Sequence, residues 1–388
     1  MTTSPNLLRA GITVLCLTLF AGLLAVAVLE RRRQLTAGEH PFVLTADSER
    51  CYRCHDQKTP GLTAAWRRGR HAAVGVGCNG CHRAGPSDPG AQNHEGQWMV
   101  SVPSPARCGT CHPRELQELR ASRHADAATC VATIAQRLPP AAAPLLGGCR
   151  RCHGGPEAVD AAGRPAPTTW PGGGMGRVHL DGSRGNCGAC HTRHEFSAAL
   201  ARSPETCGKC HGGAEHPQLA IYQASRHGAR LAALRPEAAL GARPWIAGAQ
   251  NRVAPTCATC HLAATPSRRA THDGAARLGW QVRDYQLARR PEFAEARAAM
   301  SEVCRGCHSD RWFGNALGRL GDAATAHNRR QAALAAQGGA PSAELAVERL
   351  VKEGRLTGDA LQAAILDAAH AGRRDFHRAA CAGPDAER

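Results

Sequence analysis

Cysteine and histidine, usually sparse, occur 19 and 20 times in this chain of 388 residues. Sixteen of the cysteines obey one pattern, two thiols three positions apart with a histidine directly after the second. The eight copies are Cys51-Cys54-His55, Cys78-Cys81-His82, Cys108-Cys111-His112, Cys149-Cys152-His153, Cys187-Cys190-His191, Cys207-Cys210-His211, Cys257-Cys260-His261 and Cys304-Cys307-His308. Two thiols at this spacing can add to the two vinyl groups on one porphyrin edge, and the histidine that follows falls beneath the ring to ligate iron. A zinc site would use paired Cys-x-x-Cys knuckles with no demand for that histidine. A disulfide inside one motif would close too small a loop to stabilise much. The pattern therefore predicts eight covalently bound c-type haems, and leaves Cys16, Cys130 and Cys381 as free or incidental thiols.

Twelve histidines lie outside the motifs: His40, His71, His94, His124, His179, His194, His216, His227, His272, His327, His370 and His377. Eight irons can take at most eight of them. A pure electron relay ligates every iron twice, whereas an enzyme leaves one iron open, because a small substrate binds only at a free axial position. Three near-repeats bear on this: Trp66-Arg67-Arg68-Gly69-Arg70-His71-Ala72, Leu119-Arg120-Ala121-Ser122-Arg123-His124-Ala125 and Tyr222-Gln223-Ala224-Ser225-Arg226-His227-Gly228. They read as short helices ending in a histidine, a placement suited to a second axial ligand. His40 and His179 read instead as solvated or propionate-bonded side chains.

The elements that must hold these groups have little ordinary core material, since aromatics make up 4% of the chain. Gly and Pro are abundant, with loops marked at Pro139-Pro140 and Gly172-Gly173-Gly174. The expected fold is mainly α and loop-rich, with almost no sheet, organised around the eight haems. Past His308 the composition becomes Ala-rich, with helices expected from Glu344 to Glu353 and from Ala360 to Gly372 behind Ser342 and Thr357 as caps. The formal charge of +16 is matched by the about sixteen propionates that eight haems carry, and arginine is suited to pairing them. That removes the charge as an argument for nucleic acid.

The apolar run from Gly11 to Leu29 is long enough to span a bilayer, although Ala25-Val26-Ala27 leaves signal cleavage open. Arg31-Arg32-Arg33 after the span would place the body in the cytoplasm. Haem attachment to c-type apoproteins, on the outer side of the bacterial membrane, places it in the periplasm. The expected organisation is an anchor or signal segment at 1–33, one haem domain at 34–308 and a helical region at 309–388.

From about Cys51 to Asp385 the chain resembles the octahaem hydroxylamine oxidoreductases, relatives of the pentahaem nitrite reductases. The most specific passage is Gly174-Met175-Gly176-Arg177, then Cys187 to His191, Arg193-His194-Glu195-Phe196-Ser197, Cys207-Gly208-Lys209-Cys210-His211 and Glu215-His216-Pro217-Gln218. The resemblance implies that the fourth haem, on Cys149, Cys152 and His153, is catalytic and open. It implies distal ligands at His71, His94, His124, His194, His227 and His272, with His370 or His377 completing seven. It also implies an acid–histidine pair above the catalytic haem, here Glu215-His216, with glutamate where the family usually has aspartate. The hydroxylamine-oxidising members carry a crosslinking tyrosine in a Gly-Pro-Asp-Tyr stretch, where this chain reads Gly383-Pro384-Asp385-Ala386. Members lacking it look like reductases.

The expected function is a membrane-anchored octahaem oxidoreductase acting on small inorganic nitrogen compounds, with reduction favoured over oxidation. The alternatives are an electron-transfer cytochrome without its own substrate, and a reductase of sulfur oxyanions of the tetrathionate type. The expected redox partner is a cytochrome c or a quinol-linked membrane cytochrome, and the family is trimeric.

Overall fold

The computed structural model describes residues 42–315, apart from 137–138, 140–143, 145, 163, 170–172, 213–217, 251 and 278–293, together with 16, 18–23 and 26. The chain divides into two compact units, Met1–Gly77 and Cys78–Arg388. The first carries one haem motif and the second carries seven.

In the first unit, helices α1 (Ala46–Lys58), α2 (Pro60–Arg68) and α3 (Arg70–Ala73) follow one another closely. Asp47 and Glu49 in the first turn of α1 and Lys58 in its last turn complement the helix dipole. Trp66 on α2 packs against Phe42 and Tyr52 with ring centroids 5.6 and 5.8 Å away, and its indole N–H donates to the Val76 carbonyl at 3.1 Å. This small aromatic cluster fixes α2 against the α1 face that carries Tyr52, next to Cys51.

The second unit begins with α4 (Cys78–His82), then strands β1 (Ala91–His94) and β2 (Gln97–Val100). The strands pair antiparallel, Ala91 opposite Val100 and His94 opposite Gln97. Glu95 and Gly96 both have positive φ, 53° and 79°, the two-residue turn whose twist matches that of paired strands. Among the described residues this hairpin is the one sheet, in line with the mainly helical expectation.

Short helices follow: α5 (Pro105–Gly109), α6 (Pro113–Ala121), α7 (Ala127–Ala135), α8 (Gly147–His153), α9 (Cys187–Cys190), α10 (Ala198–Arg202) and α11 (Pro204–His211). After them come α12 (Gln218–Ala224), α13 (Arg226–Ala233), α14 (Cys257–His261) and α15 (Ala294–Arg305). Two described clusters of buried side chains are small and alanine-rich. One joins Trp245, Ala247, Ala258, Ala263 and Val303, and the other Leu231, Ala238 and Ala254. Such clusters supply little apolar area for a unit of this size, which fits a fold completed by large flat cofactors.

The three near-repeats do share one local structure, but it corrects the expected one. The helix does not end in the histidine; it stops earlier, at Arg68, Ala121 or Ala224, and the chain turns at one extended residue. That residue is Gly69, Ser122 or Ser225, with φ and ψ of −79° and 149°, −84° and 153°, or −80° and 162°. Each returns its backbone N–H to the carbonyl three positions back, on Trp66, Leu119 or Tyr222, at 2.8 to 3.0 Å. The Ser122 and Ser225 hydroxyls donate to those same carbonyls. A hydroxyl that satisfies the backbone locally competes with helix continuation, so the histidine two places on is carried past a corner.

The expected span Gly11 to Leu29 and the region beyond residue 315 fall mostly outside the described residues. Among the described residues no helix is long and apolar enough to cross a membrane.

Candidate haem centres

Each described motif is built on a single turn. The histidine N–H donates to the carbonyl of the first cysteine at 2.9 Å in the third, fifth and eighth motifs, from His112 to Cys108, His191 to Cys187 and His308 to Cys304. A turn closed this way brings cysteines three apart onto one face.

Four motif histidines are also oriented through their outer nitrogen. Nδ1 lies 2.8 Å from the Val100 carbonyl for His82, 3.3 Å from that of Ala127 for His153 and 3.0 Å from that of Gly274 for His261. For His55 the partner is the Thr59 hydroxyl at 2.9 Å. An imidazole that donates Nδ1–H to a fixed acceptor presents Nε2 as its metal-binding atom. Burial holds His124, His227, His261 and His308 below the usual histidine range, which favours the neutral form that iron requires.

Four motif histidines face a second imidazole. Ring centroids are 6.2 Å apart for His82 and His194, 6.3 Å for His191 and His272, 6.4 Å for His211 and His124, and 6.1 Å for His308 and His227. Two imidazoles bound through Nε2 to opposite sides of one metal, each at about 2.0 Å, place their centroids roughly 6.3 Å apart. The residues present therefore fit axial ligation of the second, fifth, sixth and eighth haems, and they bring together four of the expected distal ligands. His71 lies on α3 in the first unit, and His94 stands exposed at the tip of the hairpin. His179 is buried, with Nε2 3.0 Å from the Gly185 carbonyl and Nδ1 3.2 Å from Glu157 Oε2, so both nitrogens face protein groups. The expected solvated or propionate-bonded side chain is thus corrected: His179 is buried against Gly185 and Glu157. Glu215, His216, His327, His370 and His377 lie outside the described residues.

The motif sulfurs are also neighbours of one another. Cys108 and Cys187 lie close enough to act on each other electrostatically, as do Cys207 and Cys257, and Cys152 and Cys210. Cys81 lies within electrostatic reach of Cys108, and Cys190 of Cys207. Motifs two, three, five, six and seven thus follow one another edge to edge, with the fourth joined at the sixth. The Trp245–Val303 cluster then packs α14, bearing the seventh motif, against α15, which leads into the eighth.

The fourth motif has a seat of its own. Met175 N–H donates to the Cys152 carbonyl at 2.9 Å and Gly176 N–H to that of His153 at 3.1 Å, while Val178 N–H donates to Gly155 at 3.0 Å. Gly154 has φ 80°, and a Cβ there would lie 2.5 Å from the Arg177 nitrogen; a Cβ on Gly174 would collide with the Gly154 backbone. Only glycine allows two backbones to approach this closely. Asn186, just before the fifth motif, ties down the same segment through its amide, donating to the Gly173 carbonyl at 2.9 Å. Behind it, Arg177 and Glu157 are buried with Nη2 and Oε1 3.4 Å apart. Sequence reasoning singled out the Gly174–Arg177 passage without its reason, and it missed Glu157, whose role depends on contacts 20 and more residues away.

Repeated Cys-x-x-Cys-His turns and imidazole pairs at iron-spanning separation are the site features of multihaem c-type cytochromes. A family model described as "Seven times multi-haem cytochrome CxxCH" matches residues 172–362. The chain is 24% identical over an alignment of 265 residues to a Kuenenia stuttgartiensis protein described as a "Probable nitrite reductase-hydroxylamine oxidoreductase fusion protein". That match covers 55% of this chain and 25% of the relative, so the chain spans about a quarter of the length of the curated relative it matches. Among solved structures, a "Hypothetical multiheme protein" superposes with a TM-score of 0.67 at 19% identity, covering 90% of this chain and 93% of that one. A reducing HAO-like protein complex of Kuenenia stuttgartiensis superposes with a TM-score of 0.51 at 23% identity, covering 80% and 63%. These structural likenesses concern the fold.

Proposed function

We propose that the chain is an octahaem oxidoreductase of small inorganic nitrogen compounds, working in the reductive direction, with its single open iron on the fourth motif. One observation carries the reading. The passage through which the chain most resembles the hydroxylamine oxidoreductases, Gly174 to Arg177, is the segment that seats Cys152 and His153 by direct backbone hydrogen bonds. The curated relative, described as a nitrite reductase–hydroxylamine oxidoreductase fusion, supports the substrate class. Ala386, where the oxidising members carry tyrosine, supports reduction.

In this reading Cys149 and Cys152 would hold the fourth haem and His153 would ligate its iron, with Nδ1 anchored on the Ala127 carbonyl. A haem bound there would supply an iron able to take the substrate and a path for electrons. Glu215 and His216, between α11 and α12, hold and deliver the protons that reduction consumes. Gly174 and Gly176 keep the motif's backbone closed on one side. His71, His94 and one of His370 and His377 serve as distal ligands of the remaining relay haems. The body lies on the outer side of the bacterial membrane, reached through the Gly11–Leu29 segment, and a cytochrome c or quinol-linked membrane cytochrome supplies electrons. Self-association as a trimer belongs to the same reading.

The test is steady-state turnover of purified holoprotein with nitrite or hydroxylamine plus reduced viologen, and with hydroxylamine plus an oxidised acceptor. The reading expects consumption of nitrite or hydroxylamine under reducing conditions. Inertness in both assays would leave a relay cytochrome, and turnover of tetrathionate in their place would move the substrate to sulfur.

A further inference from the structure

The four imidazole pairs do not share one electrostatic setting. On α6, Glu118 reaches the distal ligand of the fifth motif. Its Oε2 accepts the His272 backbone N–H at 2.8 Å and lies 3.5 Å from His272 Nδ1, a buried atom. The imidazole thus has a carboxylate at its outer nitrogen. By contrast, in the pair of the second motif the outer nitrogen of His82 meets the neutral Val100 carbonyl, and in the pair of the sixth motif Asp273 acts on His124 at electrostatic range. The cation facing Glu118 from its own helix is Arg114, with Nε 3.8 Å from Oε1; Arg114 also engages Glu115 at 3.0 Å, so its charge is shared.

A fixed negative charge beside an axial imidazole raises the ligand's basicity and favours the more positive, oxidised state of the metal it binds. At 3.5 Å the effect is mainly electrostatic and not that of a short hydrogen bond. The position in the chain gives this meaning. Cys187 of the fifth motif neighbours Cys108 of the third, and Cys190 neighbours Cys207 of the sixth. The fifth haem therefore stands between the second and third motifs on one side and the fourth, sixth and seventh on the other.

We infer that Glu118 is a positioning residue that lowers the reduction potential of the haem held by His191 and His272, making it a low-potential station that divides the relay into two electron pools. The inference needs only that these two histidines ligate one haem. It holds whether the chain is a nitrogen reductase or a relay, so an inert protein in the turnover assays leaves it standing.

The experiment is a spectropotentiometric titration of the full-length holoprotein, followed by low-spin ferric electron paramagnetic resonance, for wild type, Glu118→Gln, Glu118→Asp and Arg114→Gln. Glutamine keeps an oxygen for the His272 N–H and removes the charge. In Glu118→Gln one low-spin haem should become easier to reduce, its reduced-to-oxidised ratio at fixed potential rising about tenfold, about 59 mV for a one-electron couple. The other haems and the spin-state distribution should stay as in wild type. Glu118→Asp should return that haem toward the wild-type value. Arg114→Gln, which unmasks Glu118 together with Glu115, whose charge also reaches His272, should shift the same haem in the opposite direction, and it carries the test if Glu118→Gln does not accumulate. Unchanged potentials in Glu118→Gln, or in Arg114→Gln where that variant carries the test, would overturn the inference. So would loss of one low-spin signal to high spin in Glu118→Gln, since that would make Glu118 a purely structural support for His272.

Discussion

His82 and His194 face each other with ring centroids 6.2 Å apart and planes inclined by 30°, although 112 residues separate them in the chain. His82 is fixed from behind by Val100, on the strand that ends the hairpin. His194 lies just after the fifth motif. The two imidazoles that would hold the second haem therefore come from two segments, one beside the hairpin and one after α9.

Removing one such partner should show directly in the spin state. His194→Ala should convert one low-spin haem to high spin while the total haem content stays constant, measured by ferric electron paramagnetic resonance. His179→Ala, at a histidine whose two nitrogens are turned to Gly185 and Glu157, should leave the low-spin count unchanged.

The close approach at the fourth motif predicts a stability cost. Gly174→Ala adds a methyl where the Gly154 backbone already lies. Overpacking of this kind costs about 1–3 kcal/mol, so the melting temperature should fall and the environment of the His153 haem should change. A melt indistinguishable from wild type would show that the segment seats the motif more loosely.

Acid should loosen the junction between the seventh and eighth motifs. Glu302 on α15 accepts from Ser267 at 2.5 Å, Arg268 at 2.9 Å and Thr265 at 2.8 Å, and these partners hold its carboxyl down to about 2. A carboxyl with a depressed folded-state value stabilises the fold above its unfolded value, near 4.5, and loses that contribution as pH falls toward about 2. Glu302→Gln should cost about 1 kcal/mol at pH 7, measured as a shift in denaturant midpoint. The difference from wild type should shrink across that acid window.

How much of this was legible in the sequence depends on range. The attachment turns are local: Cys304 and His308 sit four apart, and their hydrogen bond follows from that spacing. The Ser122 and Ser225 corners were visible as repeats, but read as helix ends, because a hydroxyl that bonds back to Leu119 or Tyr222 leaves no mark in hydrophobic periodicity. The pairing of His191 with His272 was not legible. Nothing near residue 191 specifies a partner 81 positions away, and only the packing of α6 and the segment after α14 brings His272 and Glu118 together. The hairpin was missed because Glu95-Gly96 is a weak turn signal beside Asn-Gly or Asp-Gly.

The proton delivery proposed for Glu215 and His216 makes a kinetic prediction. Glu215→Gln should lower turnover with nitrite or hydroxylamine by roughly 10²- to 10⁴-fold, the usual contribution of general acid–base catalysis. Haem content and spin state should be unchanged, so the loss would belong to proton delivery alone.

The most direct test of the central claim is the ferric electron paramagnetic resonance spectrum of the purified holoprotein, recorded with and without hydroxylamine. One open iron among eight predicts a high-spin signal from a single haem that disappears or shifts when hydroxylamine is added, with the low-spin signals unmoved. A spectrum in which every haem is low-spin and hydroxylamine changes nothing would contradict it.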